Sequence, residues 1–223
     1  YQFTLQAVKY LFNQGCQLVI LACNTASAKA LRSIQQNDLP AIDPNRRVLG
    51  VIRPTIEKLG SVSQSGAIGV LGTAGTIQSQ SYDIEIGKMY PSFRTFGHAC
   101  PLWAALVEAR ETNCPGTEYF VKKDLDALLA SSPDIDTVIL ACTHYPMLIS
   151  LIKKHLPQEI NIIQQGSIIA DSLADYLRRH PEMQQRISQG GSCRYLTTEN
   201  PAKFDDLASI FLQTPISATR ITL

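Results

Sequence analysis

LVILACNTAS at positions 18–27 and DTVILACTHYP at 136–146 share the string VILAC followed by a polar residue. In each, a short aliphatic and β-branched run gives way to small and polar side chains. An apolar run of this length reads as a strand buried on both faces, as the strands of parallel sheets are. The stretches that follow, TASAKALRSI at 25–34 and MLISLIKKH at 147–155, turn to helical periodicity. Cys23 and Cys142 therefore each stand in a tight turn between a strand and a helix. Further strand candidates at 47–52, 67–71, 92–96 and 160–163 alternate with helix candidates at 54–59, 77–88, 102–109, 118–129 and 168–179. That alternation specifies parallel pairing with right-handed crossovers, so the fold class is α/β. The repeated motif points to two pseudo-symmetric lobes, each a mainly parallel sheet flanked by helices. Residues 1–54 with 165–223 make up the first, and 55–164 the second.

Composition narrows the function classes. With 45% hydrophobic and 17% charged residues among 223, the chain buries a real core and is neither disordered nor fibrous. Its 20 basic and 19 acidic residues leave a formal charge of +1, so no overall field recruits nucleic acid or an anionic membrane. A small-molecule partner is favoured. No apolar run reaches the roughly 18 residues of a membrane span, and the start carries no secretory pattern, which makes the cytoplasm the expected compartment. The sequence opens at Tyr1, already inside an amphipathic helix marked by Phe3, Leu5, Val8, Leu11 and Phe12. Cysteines at 16, 23, 100, 114, 142 and 193 lack the dense spacing of a disulfide scaffold. No CxxC occurs, and the close Cys and His pairs are Cys142 with His144 and His98 with Cys100, so no metal is expected. Cys16, Cys114 and Cys193 read as structural, and QGGS at 189–192 as a surface loop.

In open α/β sheets, ligands bind outside the carboxyl ends of the strands. Two equivalent lobes facing each other would present Cys23 and Cys142 to one cleft, and a helix start favours a thiolate at each. Inverting a stereocentre needs a base on one face and an acid on the other, both reachable near neutral pH. Two thiols meet that demand symmetrically. Asn24, Thr25, Thr143 and His144 follow the cysteines directly and can receive a carboxylate, although Asn24 and Thr25 also suit plain N-capping. His144 can adjust the Cys142 thiol. GTAGT at 72–76 lacks the spacing of a nucleotide-binding loop, so Thr73 and Thr76 either line the cleft or cap a helix.

ACNTAS at 22–27, GTAGT at 72–76, ACP at 99–101 with LVE at 106–108, and ACTHYP at 141–146 together resemble the glutamate racemases of the aspartate/glutamate racemase superfamily. IRPT at 52–55 and RRHPEM at 178–183 resemble the Bacteroidetes branch. The resemblance implies interconversion of L- and D-glutamate without pyridoxal phosphate or another cofactor, supplying D-glutamate for peptidoglycan and so supporting cell shape. It implies Cys23 and Cys142 as the acid/base pair, His144 and Glu108 in support, and Asn24, Thr25, Thr143 and His144 at the substrate. A homodimer is compatible with it. Ala141 stands where the family usually has Gly. The family's opening strand with its Asp-Ser-Gly motif, and a later Tyr-Gly segment, do not occur in this sequence. On that ground the 223-residue chain is expected to be inactive and prone to aggregate. Two other readings stand beside the first: a racemase-like binding protein without activity, and a racemase for another amino acid such as aspartate. A thiol hydrolase would leave the second cysteine unexplained.

Overall fold

AIGVLG and TVILA, buried at every position, form the centre of the largest sheet. The computed structural model describes residues 1–223. Its first part runs α1 (Gln2–Asn13), β1 (Leu18–Leu21), α2 (Asn24–Lys29), β2 (Arg47–Gly50) and α3 (Ile52–Glu57). Then come β3 (Ala67–Gly72), α4 (Ala74–Gln78), α5 (Ser81–Met89), β4 (Arg94–Ala99), α6 (Trp103–Glu108) and α7 (Pro115–Leu129). The remainder is β5 (Thr137–Ala141), α8 (Ile149–His155), β6 (Asn161–Ile163), α9 (Gln165–Arg179), β7 (Tyr195–Thr197), α10 (Pro201–Leu212) and β8 (Ala218–Arg220).

Four strands pair in the order β4-β3-β5-β6, all parallel, and smaller parallel sheets join β1 to β2 and β7 to β8. Alternation along the central strands sorts the core into two layers. Ala67, Leu71, Val138 and Leu140 face Trp103, Val121, Leu125, Leu128 and Ile152, so α6, α7 and α8 cover one side. Ile68, Val70, Ile139 and Ala141 face Ile56, Tyr82 and Ile86 on the other, under α3 and α5. Gly69 lets α7 pack close to β3: a Cβ there would come within 2.9 Å of Leu128 Cδ2. A third apolar cluster joins Val8 and Phe12 of α1 to Val19 and Leu21 of β1 and Val48 of β2.

The α/β expectation holds in its elements, and the differences have local causes. The helix expected over 25–34 breaks after Lys29, and the chain continues as short helical pieces that include a π turn at Ile34–Asp38. Pro40 in the next turn lacks an N–H and crowds the carbonyl four residues back, which a wider turn relieves. GTAGT is not a loop: Gly72 ends β3, and Thr73 caps α4 by accepting from the Thr76 N–H at 3.3 Å. Cys114 does the same for α7, its sulfur accepting from the Thr117 N–H at 3.3 Å with Pro115 at the first helical position. This thiol, read as structural, has a capping role.

Asp136, just before β5, anchors the loop that enters β3. Its carboxylate accepts from the Gln64 and Ser65 N–H groups at 2.7 Å and from the Ser63 hydroxyl at 2.7 Å. Burial works to raise its pKa, but the Ser65 N–H, the Ser63 and Thr137 hydroxyls and the Gln64 N–H outweigh it and hold the group at about 2. Its folded value lies below the unfolded one, so its stabilisation is present above about pH 4 and disappears as pH falls towards 2. Asp136→Ala should therefore lower the unfolding midpoint at pH 7 and shrink that loss on acidification. Urea titrations at pH 7 and pH 3 check this, and an equal midpoint for variant and parent at pH 7 would refute it.

Candidate active site

The strand register sets the site. Ala99 and Ala141 both pair with Gly72, so Cys100, Thr73 and Cys142 leave three adjacent parallel strands at the same carboxyl edge. Cys142 is buried, and its Sγ lies 3.8 Å from His144 Nδ1. On the far side of that ring, His144 Nε2 lies 3.1 Å from Glu108 Oε1. Glu108 reaches it because α6 is anchored at its start by Trp103, fully buried with its ring 4.9 Å from Tyr145. Tyr145 in turn donates to the Cys100 carbonyl at 3.0 Å, which fixes the turn carrying Cys142 and His144. The edge of Phe211 from α10 packs against the His144 ring at 6.1 Å. Thr143 is exposed.

Burial pushes the Cys142 thiol up, the His144 N–H pulls it down, and the charge of Cys23 pushes it up again. Smaller contributions follow from the Tyr145 N–H, downward, and Glu108, upward. Cys23 is thus near enough to oppose ionisation of Cys142. It sits exposed at the N-cap of α2, directly beyond β1.

ACNTAS also meets GTAGT through hydroxyls. Thr25 Oγ1 lies 2.8 Å from Thr73 Oγ1 and 3.2 Å from Thr76 Oγ1, and the last two are 3.1 Å apart. Gly75 lets α2 and α4 approach, since a Cβ there would stand 3.1 Å from Thr25 Cγ2. Asn24 differs from its neighbours. It is 2% exposed, donates to Gln165 Oε1 at 2.6 Å and accepts from the Tyr82 hydroxyl at 2.7 Å. Gln165 donates onward to Thr55 Oγ1 at 2.7 Å and to Tyr82 at 3.0 Å. This network ties α2, α3, α5 and α9 together beneath the cleft. Its members Gln165, Tyr82 and Thr55 carry no local signal in the sequence, because each acts across more than 50 positions.

Tyr82→Phe removes the donor to Asn24 and an acceptor of Gln165, leaving buried polar atoms unpaired. The expected cost is about 1–3 kcal/mol, a fall in melting temperature of roughly 2–10 °C. Calorimetry measures it, and an unchanged melting temperature would mean the network holds nothing.

A cavity of about 710 Å³ lies away from both thiols. Ile20 and Leu49 form one wall, Leu173 and Tyr176 of α9 another, with Arg32 and Arg53 at its margin.

Comparison with known proteins agrees with this geometry. The chain is 38% identical to a glutamate racemase of Roseobacter denitrificans over 96% of its own length and 80% of that protein's. A glutamate racemase of Ruegeria pomeroyi is likewise 38% identical, over 97% of the chain and 81% of its own length. Among solved structures, a glutamate racemase of Bacillus anthracis superposes with a TM-score of 0.88 at 32% identity, covering all of this chain and 80% of that one. One from Francisella tularensis in complex with D-glutamate gives 0.83 at 25% identity, over all of this chain and 78% of that one. Residues 2–173 match the Asp/Glu/hydantoin racemase family, and the chain belongs to that family.

Proposed function

We propose that the chain is a glutamate racemase that interconverts L- and D-glutamate by proton transfer between Cys23 and Cys142, without a cofactor, and supplies D-glutamate for peptidoglycan. The observation that carries this reading is the matched placement of the two thiols, each at the end of a VILAC strand and just before a helical turn. One thiolate removes the α-proton; the opposite thiol gives its own proton to the other face of the carbanion. The product is the enantiomer, and the two cysteines have exchanged protonation states. Cys142, pushed up by burial, is suited to hold its proton until the carbanion forms; in the other direction His144 takes the Cys142 thiol proton, leaving the thiolate that acts as base, and Glu108 stabilises the imidazolium so formed.

Thr25, Thr73 and Thr76 supply hydroxyls from both halves of the repeat to the substrate carboxylates, and Thr143 and His144 complete the opposite wall. Asn24 belongs instead to the support of the first turn, because its side chain is committed to Gln165 and Tyr82. In this reading the cleft lies between a lobe of residues 1–54 with 165–223 and a lobe of residues 55–164. No helix is long and apolar enough to cross a membrane, and free thiols persist in the reducing cytoplasm, which is the compartment proposed.

Circular dichroism following L-glutamate and L-aspartate separately, with the purified protein carrying a relative's opening Asp-Ser-Gly segment and no added cofactor, tests the proposal. Decay of the L-glutamate signal to zero, with L-aspartate unchanged, is the expected result. Decay with aspartate alone would move the substrate, and no decay with either would remove the activity.

A further inference from the structure

Cys100 takes no part in the chemistry above, yet it is a fully buried thiol beside two other metal-binding side chains. His98 projects from the edge strand β4, Cys100 follows that strand, and Asp124 comes from the buried face of α7. Donor atoms of the three all lie within 4.8 Å of one another. His98 Nε2 and Asp124 Oδ1 are 3.1 Å apart, and His98 is the one hydrogen-bond partner of that carboxylate. The Cys100 sulfur makes only a long contact to the His98 carbonyl at 3.9 Å. Asp124 is 9% exposed and Cys100 1%, whereas the His98 side chain keeps 28% of its surface in water. The group is therefore closed on the protein side and open through the imidazole.

We propose that His98, Cys100 and Asp124 form a binding site for a single borderline-soft divalent cation of the Zn²⁺ class. Nitrogen, thiolate and carboxylate together are a zinc-type donor set, and three protein ligands leave a fourth, water-filled position on the His98 side. The geometry is near what the ion needs. Two ligands about 2 Å from a tetrahedral ion stand roughly 3.3 Å apart, close to the present His98 to Asp124 spacing. The sulfur, within 4.8 Å of both other donors, stands at most about 1 Å beyond the spacing of two ligands on such an ion. Charge favours occupancy too. A thiolate and a carboxylate neutralise a dication, so the filled site buries no net charge. On binding, the metal–sulfur bond replaces the S–H bond and one proton leaves to solvent. No oxidation is involved.

Cobalt(II) titration of the reduced chain tests the site through its spectrum and not through activity. One equivalent of Co²⁺ should produce a thiolate-to-cobalt charge-transfer band with intensified tetrahedral visible bands, and Zn²⁺ should displace both. Cys100→Ser should abolish the charge-transfer band. Asp124→Asn, which keeps shape and removes charge, should weaken Co²⁺ binding by more than the roughly 10-fold that losing even an outer-shell partner costs. It also serves as the test if Cys100→Ser does not fold. Cys142→Ser should leave the band in place. Absence of a band at saturating Co²⁺ would overturn the proposal, as would a band that survives Cys100→Ser and disappears with Cys142→Ser.

Discussion

Cys23→Ser and Cys142→Ser are each expected to slow glutamate racemisation by about a thousandfold or more, the scale of a positioned acid or base removed from a transition state. A thiol ionises near pH 8.5, whereas an alcohol is close to water in acidity, so a serine can neither accept nor release the proton at a useful rate. The two enantiomers have equal free energy in water, so kcat/KM must fall by the same factor in both directions whichever thiol is replaced. Overall rates therefore cannot say which cysteine serves which enantiomer. A β-chloro analogue of glutamate can, because removal of its α-proton by one base expels chloride without any need for the opposite acid. Each variant should release chloride from one enantiomer only, and the two variants from opposite ones. Racemisation within tenfold of the parent by either variant would reject its assigned role. Release from the same enantiomer by both would mean the thiols do not face the substrate from opposite sides.

The parts of the molecule legible in the sequence are those governed by short-range pattern. VILAC occurs twice, and a strand buried on both faces has little choice but to be apolar throughout, which makes β5 readable from a dozen residues; β1 is also a strand, but only Val19 and Leu21 are buried in it, so the apolar run overstates its burial. Turns governed by a single side chain were less so. Thr73 converts GTAGT from loop to helix start with one hydrogen bond, and Pro40 widens a helix that periodicity alone leaves continuous. Partnerships across the fold were least visible. Nothing near Asn24 announces that Gln165, 141 positions away, will take its amide hydrogen. Asn24 reads equally well as a substrate ligand until that contact is seen. Asp124 stands in the same relation to His98 and Cys100: a pair too sparse to suggest a metal site gains its third donor from α7, 26 positions beyond His98.

The His144 and Glu108 pair is expected to act on one proton transfer and not the other. His144→Asn removes the ring next to Cys142 and should lower kcat/KM by about 100-fold, the lower end of general acid–base contributions, since the thiol itself remains. Glu108→Gln should cost far less. Its carboxylate is 56% exposed, and water and salt screen the 3.1 Å pair, which limits its worth to about 1 kcal/mol, or roughly fivefold. The asymmetry is the diagnostic feature. Only the half-reaction in which Cys142 takes the α-proton needs the Cys142 thiolate, formed by passing the thiol proton to His144, so chloride release from the enantiomer still processed by Cys23→Ser should slow in both variants. Release from the enantiomer still processed by Cys142→Ser should stay near the parent rate. A merely structural histidine, packed between Phe211 and the Cys142 turn, would depress both enantiomers alike when lost. Equal depression is therefore the result that would reduce His144 to packing, and a Glu108→Gln effect as large as that of His144→Asn would show that screening does not reach the pair.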